Sequence, residues 1–535
     1  FWLKSLLLVA NRTMHRPRVP LESAVLLAGL SLALAHGRVP PCQVSVVGAG
    51  WGGVYTAWRL AVDTQRVPAD RVCVFEAFRR NGGRTYSIRF QDYMIDAGAY
   101  RFAGDMHLPA DLIAGGLGLP SVWYDPEGTD DDVRGEVQWP YQEPLRKVVD
   151  AAGRHAGYGA AIDLMLTHLA AAGARITFGT KLTSLTPGRG GQWLLGFSTG
   201  ASVQSQSVLL NLPRPALRHV GGLEEAMGAR WQALTCSERE FPPKVTEGPT
   251  TVKVYAVYED AWWVSMLGLL RGTKEDMLSP PASIHYHDGE VVCQGGVDPS
   301  GAPIWRPARE LPGARRCRGV LQVFYRHSQM CPAAAPHCMD FWAALPRPNA
   351  SEPLALFEGA VGAELRSEVH RKLLAMHMSE FRKHNITEDA LAKLAPPVAL
   401  AVSVWAHEGT LPPGDDGLLT GPQDVICKTS RLPAACGTAS PTEYQEMVQG
   451  TGRWVRTAPG LHVANNDFFV TLARKWHGPW AEQSLLVAEA ILASAFGLGR
   501  PAWLNATYYA AQVPLPHMSS GAGAPGIATR EDLVV

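Results

Sequence analysis

Three glycines, Gly48, Gly50 and Gly53, stand directly behind the run Gln43–Val47, and Glu76 closes a second apolar run, Val72–Phe75. Between them Val54–Val62 has helical composition. A strand, a glycine-rich turn, a helix and a second strand with an acidic end suit a dinucleotide. Gly48 permits the tight turn, Gly50 lets backbone approach a pyrophosphate, and Gly53 allows close helix–strand packing. The helix N-terminus offers free N–H groups and a positive dipole to phosphate, and the carboxylate of Glu76 stands at the distance where ribose hydroxyls are bound. A second group of chemical interest is more scattered. Lys253 lies inside the β-favouring run Thr251–Val257, where a charge is costly to bury without a partner. Arg101 ends Ile95–Phe102, and Tyr325 ends Leu321–Tyr325.

Just past Glu76 come Gly82-Gly83-Arg84. Here the chain resembles the flavin-containing amine oxidase superfamily, over about Gln43–Gly497, and within it the L-amino acid oxidases. The resemblance implies FAD rather than NAD, with Gly83 and Arg84 along the diphosphate and flavin. It implies that Gly98-Ala99-Tyr100-Arg101 is the turn whose arginine holds a substrate carboxylate, a bidentate pairing that selects an amino acid over a simple amine. By the same resemblance Tyr325 bonds that carboxylate, and Lys253 meets the reactive flavin nitrogen through a water and assists reoxidation by oxygen. Trp480 flanks the substrate before the last helix. Two departures stand out. Asn466 occupies the place of a glutamate that bonds the ribityl chain, and Pro479 separates Gly478 from Trp480. No flavin-attachment cysteine lies near Asn466, so the FAD is expected to be non-covalent. His107, which follows the Arg101 turn, reads as a structural histidine.

The elements that must position these residues follow the chain. The fold class expected is α/β: a discontinuous FAD-binding Rossmann-like domain of the glutathione-reductase type, interleaved with a mixed-sheet α+β substrate domain. The first domain takes residues 36–102, 157–216 and 451–500, and the substrate domain takes 217–450. Residues 103–156 read as a shortened insertion with little regular structure, and 501–535 as a loosely held tail. Ile162, Met165, Leu166 and Leu169 recur at helical spacing before a C-capping Gly173. Ile176, Phe178 and Leu182 read as one face of a single strand, and Trp480–Ala495 as a closing helix.

Composition bounds the partners. The 49 Lys+Arg balance 49 Asp+Glu, which argues against nucleic acid, and no apolar run is long enough to span a bilayer. Residues 1–35 read as a signal-peptide region with read-through before Met14: Arg16 and Arg18 precede the apolar Ala24–Ala35, which ends in an A-x-A site. Secretion is expected, with an organelle lumen as the alternative. Nine cysteines agree, with close pairs Cys331/Cys338 and Cys427/Cys436, and Cys293 and Cys317 as a possible third bridge. None has zinc-site spacing beside suitable histidines, so no metal is expected. Sequons at Asn349, Asn385 and Asn505 are candidate glycosylation acceptors.

The function expected is oxidation of an L-amino acid to a 2-oxo acid, ammonia and hydrogen peroxide, with the substrate and molecular oxygen as partners. A primary-amine or polyamine oxidase, and a non-catalytic flavin-fold binding protein, are the alternatives. Side-chain preference and oligomeric state stay open.

Overall fold

The computed structural model describes residues 41–123, 143–228, 250–297, 303–311, 313, 316–327, 331–346, 352–405, 458–465 and 481–513. Two sheets dominate them. The first has seven strands, in the order Arg175–Thr177, Val72–Phe75, Cys42–Val47, Ser202–Leu210, Trp193–Phe197 and Leu182–Pro187, with Leu461–Val463 also on Ser202–Leu210. Cys42–Val47 runs parallel to both its neighbours and is almost wholly buried, as expected of a strand covered on both faces. Ser202–Leu210 changes partner along its length. Its first half pairs antiparallel with Trp193–Phe197, and its second half runs parallel to Leu461–Val463. Three stretches far apart in sequence thus meet in one sheet.

The helix Trp51–Trp58 continues as a π-helical turn through Arg59–Asp63, and it packs against Ala160–Ala171 and Ala481–Phe496. Ile162, Met165, Leu166 and Leu169 are all buried, each contributing about 1.5–3 kcal/mol. Ala481–Phe496 is buried nearly all round, including Glu482 and Glu489. No described helix is long and apolar enough to cross a membrane.

The second sheet has eight strands, centred on Thr251–Tyr258 between Cys317–His327 and Ala399–Trp405, and its described pairings are antiparallel. The helices Ala363–Met376 and Met378–Lys383 are separated at His377, and Val369, Leu373 and Phe381 belong to this sheet's core.

Three expectations about local structure are corrected. Ile176, Phe178 and Leu182 do not share a strand: the chain leaves the sheet after Thr177, and Leu182–Pro187 lies at the other end of the strand order. Gly179 and Thr180 turn it, their N–H groups donating to the carbonyls of Phe78 and Glu76. Within 103–156, the described residues are more regular than expected. His107–Asp111 is helical, and Ser121–Trp123, Leu145–Val148 and Phe102–Ala103 form a small sheet. The described part of the tail, residues 501–513, is also better held: Leu504, Tyr509 and Val513 are buried, and Asn505 caps the helix Ala506–Gln512 by accepting from Tyr508 N at 2.9 Å. Cys293–Cys317 and Cys331–Cys338 are bridged, as is Cys42–Cys73, a pair that sequence spacing did not suggest. Cys427, Cys436 and Asn349 lie outside the described residues.

Candidate active site

The glycine turn closes on itself through backbone contacts that no larger residue permits. Gly48 has φ +100°, and a Cβ there would meet the Asn211 carbonyl at 2.4 Å. A Cβ on Gly53 would sit 2.1 Å from the Gly48 carbonyl, which is the close helix–strand packing expected of the third glycine. Gly50 is the N-cap of the helix, whose first turn holds no acid, and the side-chain oxygen of Asn211 accepts from Gly53 N at 3.1 Å. The helix N-terminus lies on a cavity of about 240 Å³, to which it presents its positive dipole end.

Glu76 is buried beside this turn. Its carboxylate accepts from Ala49 N at 2.7 Å and Phe78 N at 2.9 Å. Burial raises its pKa, and these two backbone donors oppose the rise. It thus braces the glycine turn, a role sequence reasoning missed, while still lining the cavity. The second glycine pair is tied in by Gly82 N, which donates to the Ala49 carbonyl at 2.8 Å. Arg80 donates to the Gly83 carbonyl at 2.8 Å and stacks on Tyr86 at 4.3 Å. Arg84 reaches across to Asn465 Oδ1 at 2.7 Å, at the end of the Leu461–Val463 strand. A helix N-terminus, a glycine wall and a buried carboxylate on one cavity fit a dinucleotide.

Gly98 and Arg101 lie on the same cavity, with Lys253, Tyr325 and Tyr100. Their placement depends on three consecutive carbonyls at the end of the strand Tyr93–Asp96. The Asp96 carbonyl accepts from Tyr255 OH at 2.9 Å, that of Ala97 from Trp405 Nε1 at 2.8 Å and from Ser403 Oγ, and that of Gly98 from Lys253 Nζ at 2.5 Å. The central strands of the second sheet thus grip the turn that carries Arg101. A Cβ at Gly98 would fall 2.0 Å from the Arg84 carbonyl, so this turn is also pressed against the glycine–arginine turn. The Asp96 carboxylate locks the other side, 2.9 Å from His155 Nε2 and accepting from Tyr158 N at 3.2 Å.

Lys253 is only 2% exposed, which rules out an edge-strand lysine facing solvent. It stands opposite Tyr325 in strand register, with Nζ 3.5 Å from the Tyr100 ring centroid and 5.1 Å from that of Tyr325. The two tyrosines meet edge to face at 5.7 Å. Burial drives the Lys253 pKa well below its ordinary value, and Asp96 pulls it back while Arg101 adds to the fall. Arg101 is 3% exposed, its guanidinium 4.7 Å from the Tyr100 ring. The structure therefore brings Lys253, Arg101 and Tyr325 together around Tyr100. Only the spacing Gly98-x-x-Arg101, which contains Tyr100, hinted at that ring. Trp480 and Asn466 lie outside the described residues. His107 stands apart from the cluster, 3.4 Å from Asp111 and packed on Tyr508.

Residues 46–110 match the NAD(P)-binding Rossmann-like domain family. No curated protein sequence matches the chain. Among solved structures it is similar to a wild-type putrescine oxidase bound to putrescine, described in work on redesign of cofactor binding. The identity is 12% and the TM-score 0.46, covering 86% of this chain and 99% of that one. That likeness is too distant to bear on the substrate. The chain is thus an α/β protein with a Rossmann-like nucleotide-binding domain.

Proposed function

We propose that the chain is an FAD-dependent oxidase that deaminates L-amino acids. One observation carries the reading: the buried guanidinium of Arg101 lies on the same cavity as the glycine turn, with Lys253 and Tyr325 beside it. Gly48, Gly50, Gly53, Glu76, Gly83, Arg84 and Gly98 would hold FAD, with Asn466 as a further contact. When bound, FAD supplies the acceptor for a hydride and passes the electrons to oxygen. Arg101 would clamp the substrate carboxylate through its planar fork, and the Tyr325 hydroxyl would donate a second bond. Trp480 would flank the substrate. Lys253 would hold its ammonium beside the negative charge that develops in the oxygen reaction. Overall, an amino acid, oxygen and water give a 2-oxo acid, ammonia and hydrogen peroxide.

A peroxide assay against amino acids and their decarboxylated amines, with Arg101→Ala beside the parent, tests this. Losing one partner of a buried charge pair costs about 2–5 kcal/mol, so efficiency with amino acids is expected to fall roughly thirtyfold or more. Turnover of the amine should stay level or rise. An unchanged amino-acid-to-amine ratio would replace this reading with an amine oxidase. A purified protein without flavin colour would replace both with a non-catalytic binding protein.

A further inference from the structure

His285-Tyr286-His287-Asp288 stands where the strand Ala282–His285 passes into a 3-10 turn, and the sequence reading assigned it nothing. The turn is rigidly backed. A Cβ on the next residue, Gly289, would lie 1.8 Å from the Val320 carbonyl, so the chain is pressed onto the strand Cys317–His327. Tyr286 points the other way and hydrogen-bonds His377. The two histidines and the aspartate are left facing one another, beyond Tyr325, whose ring centroid is 5.9 Å from that of His285.

Asp288 Oδ2 is 3.7 Å from His285 Nδ1, and Oδ1 is 3.5 Å from His287 Nε2. Both are longer than a hydrogen bond. The Asp288 side chain is 0% exposed, and neither of its oxygens accepts a hydrogen bond among the described residues. A carboxylate sealed off in this way is costly. The spacing has a different meaning if a cation lies between the groups. Two ligands on one tetrahedral zinc, each about 2.0–2.1 Å from it, are roughly 3.4 Å apart. One ligand atom from each of the three residues lies within 4.8 Å of the others.

We propose that His285, His287 and Asp288 form a binding site for a divalent transition-metal cation of the zinc class. Two imidazole nitrogens and one carboxylate oxygen suit such an ion, whereas magnesium and calcium want oxygen ligands throughout. Three protein ligands leave a fourth position for water. The earlier expectation of no metal rested on cysteine spacing, which does not bear on this cluster.

The test uses tag-free full-length protein, dialysed against a chelator and then against micromolar zinc chloride, with elemental analysis of the retained metal. One zinc per chain is expected in the parent, and less than about a tenth of that in Asp288→Asn and His287→Gln at the same free zinc. Zinc should also raise the melting temperature of the parent but not of the variants. No retained zinc in the parent, or equal zinc in parent and variants, overturns the site. Should a variant fail to fold, X-ray absorption of the zinc-loaded parent decides: a shell with two imidazoles supports the site, and a shell without them refutes it. None of these readouts depends on flavin or on oxidase activity.

Discussion

Arg59 and Lys253 are both buried cations, 0% and 2% exposed, and their surroundings differ. Arg59, at the end of the first helix, donates to Glu489 at 2.9 Å and to the Gly499 carbonyl at 3.0 Å, and it also pairs with Asp63. Tyr55 OH donates to the same Glu489 oxygen at 2.5 Å. This charge is neutralised and serves to hold Ala481–Phe496 against the nucleotide-binding helix. Among the described residues Lys253 donates only to main-chain carbonyls, Gly98 at 2.5 Å and Asp96 at 3.4 Å, and it faces aromatic rings across the cavity. A carbonyl dipole cannot neutralise an ammonium as a carboxylate does, so the cost of burying Lys253 is only partly offset. The two regions show the difference between a charge used for packing and a charge kept available for chemistry.

The largest test of this contrast is Arg59→Met. Removing one partner of a buried pair strands Glu489 and should destabilise the fold by about 3–5 kcal/mol, measured by denaturant unfolding. Replacing both, as Arg59→Met with Glu489→Leu, should recover much of that loss. A single variant as stable as the parent would mean that the pair does not hold the helices.

Lys253→Met should behave in the opposite way. Stability is expected to hold or rise, while oxygen-dependent reoxidation of the flavoprotein slows by about 2.7–4 kcal/mol, or a hundredfold to a thousandfold. Anaerobic reduction by substrate should change far less. Equal oxidation rates in rapid mixing would show that Lys253 takes no part in the oxygen reaction.

The smallest effect sharpens the comparison through pH. Folding lowers the Lys253 pKa below 10.5, chiefly by burial. Between the folded and unfolded values the unfolded chain therefore binds more protons, and stability rises with pH. The contribution is complete above the unfolded pKa and is lost as pH falls through the folded one. Denaturant titrations across the alkaline range should show the parent gaining stability relative to Lys253→Met. Parallel curves would count against a depressed pKa.

Sequence alone determined the nucleotide-binding unit, because its parts are neighbours along the chain. The Gly48 turn, the helix after it and Glu76 are set by short-range sterics and by one strand pairing, Cys42–Val47 with Val72–Phe75. It also marked Lys253 as unusual, since a cation inside an apolar strand is conspicuous wherever that strand goes. Tertiary structure alone decided what those residues touch. Arg84 and its partner Asn465 are 381 positions apart, and the Lys253 bond to the Gly98 carbonyl spans 155. Neither is implied by periodicity, because a carbonyl looks the same at every residue until a fold selects it. The same reason hid Tyr100, whose ring matters only once Lys253 and Tyr325 arrive from the second sheet. It also hid Asp288, whose burial beside two histidines depends on the turn being pressed onto a strand some thirty residues further on.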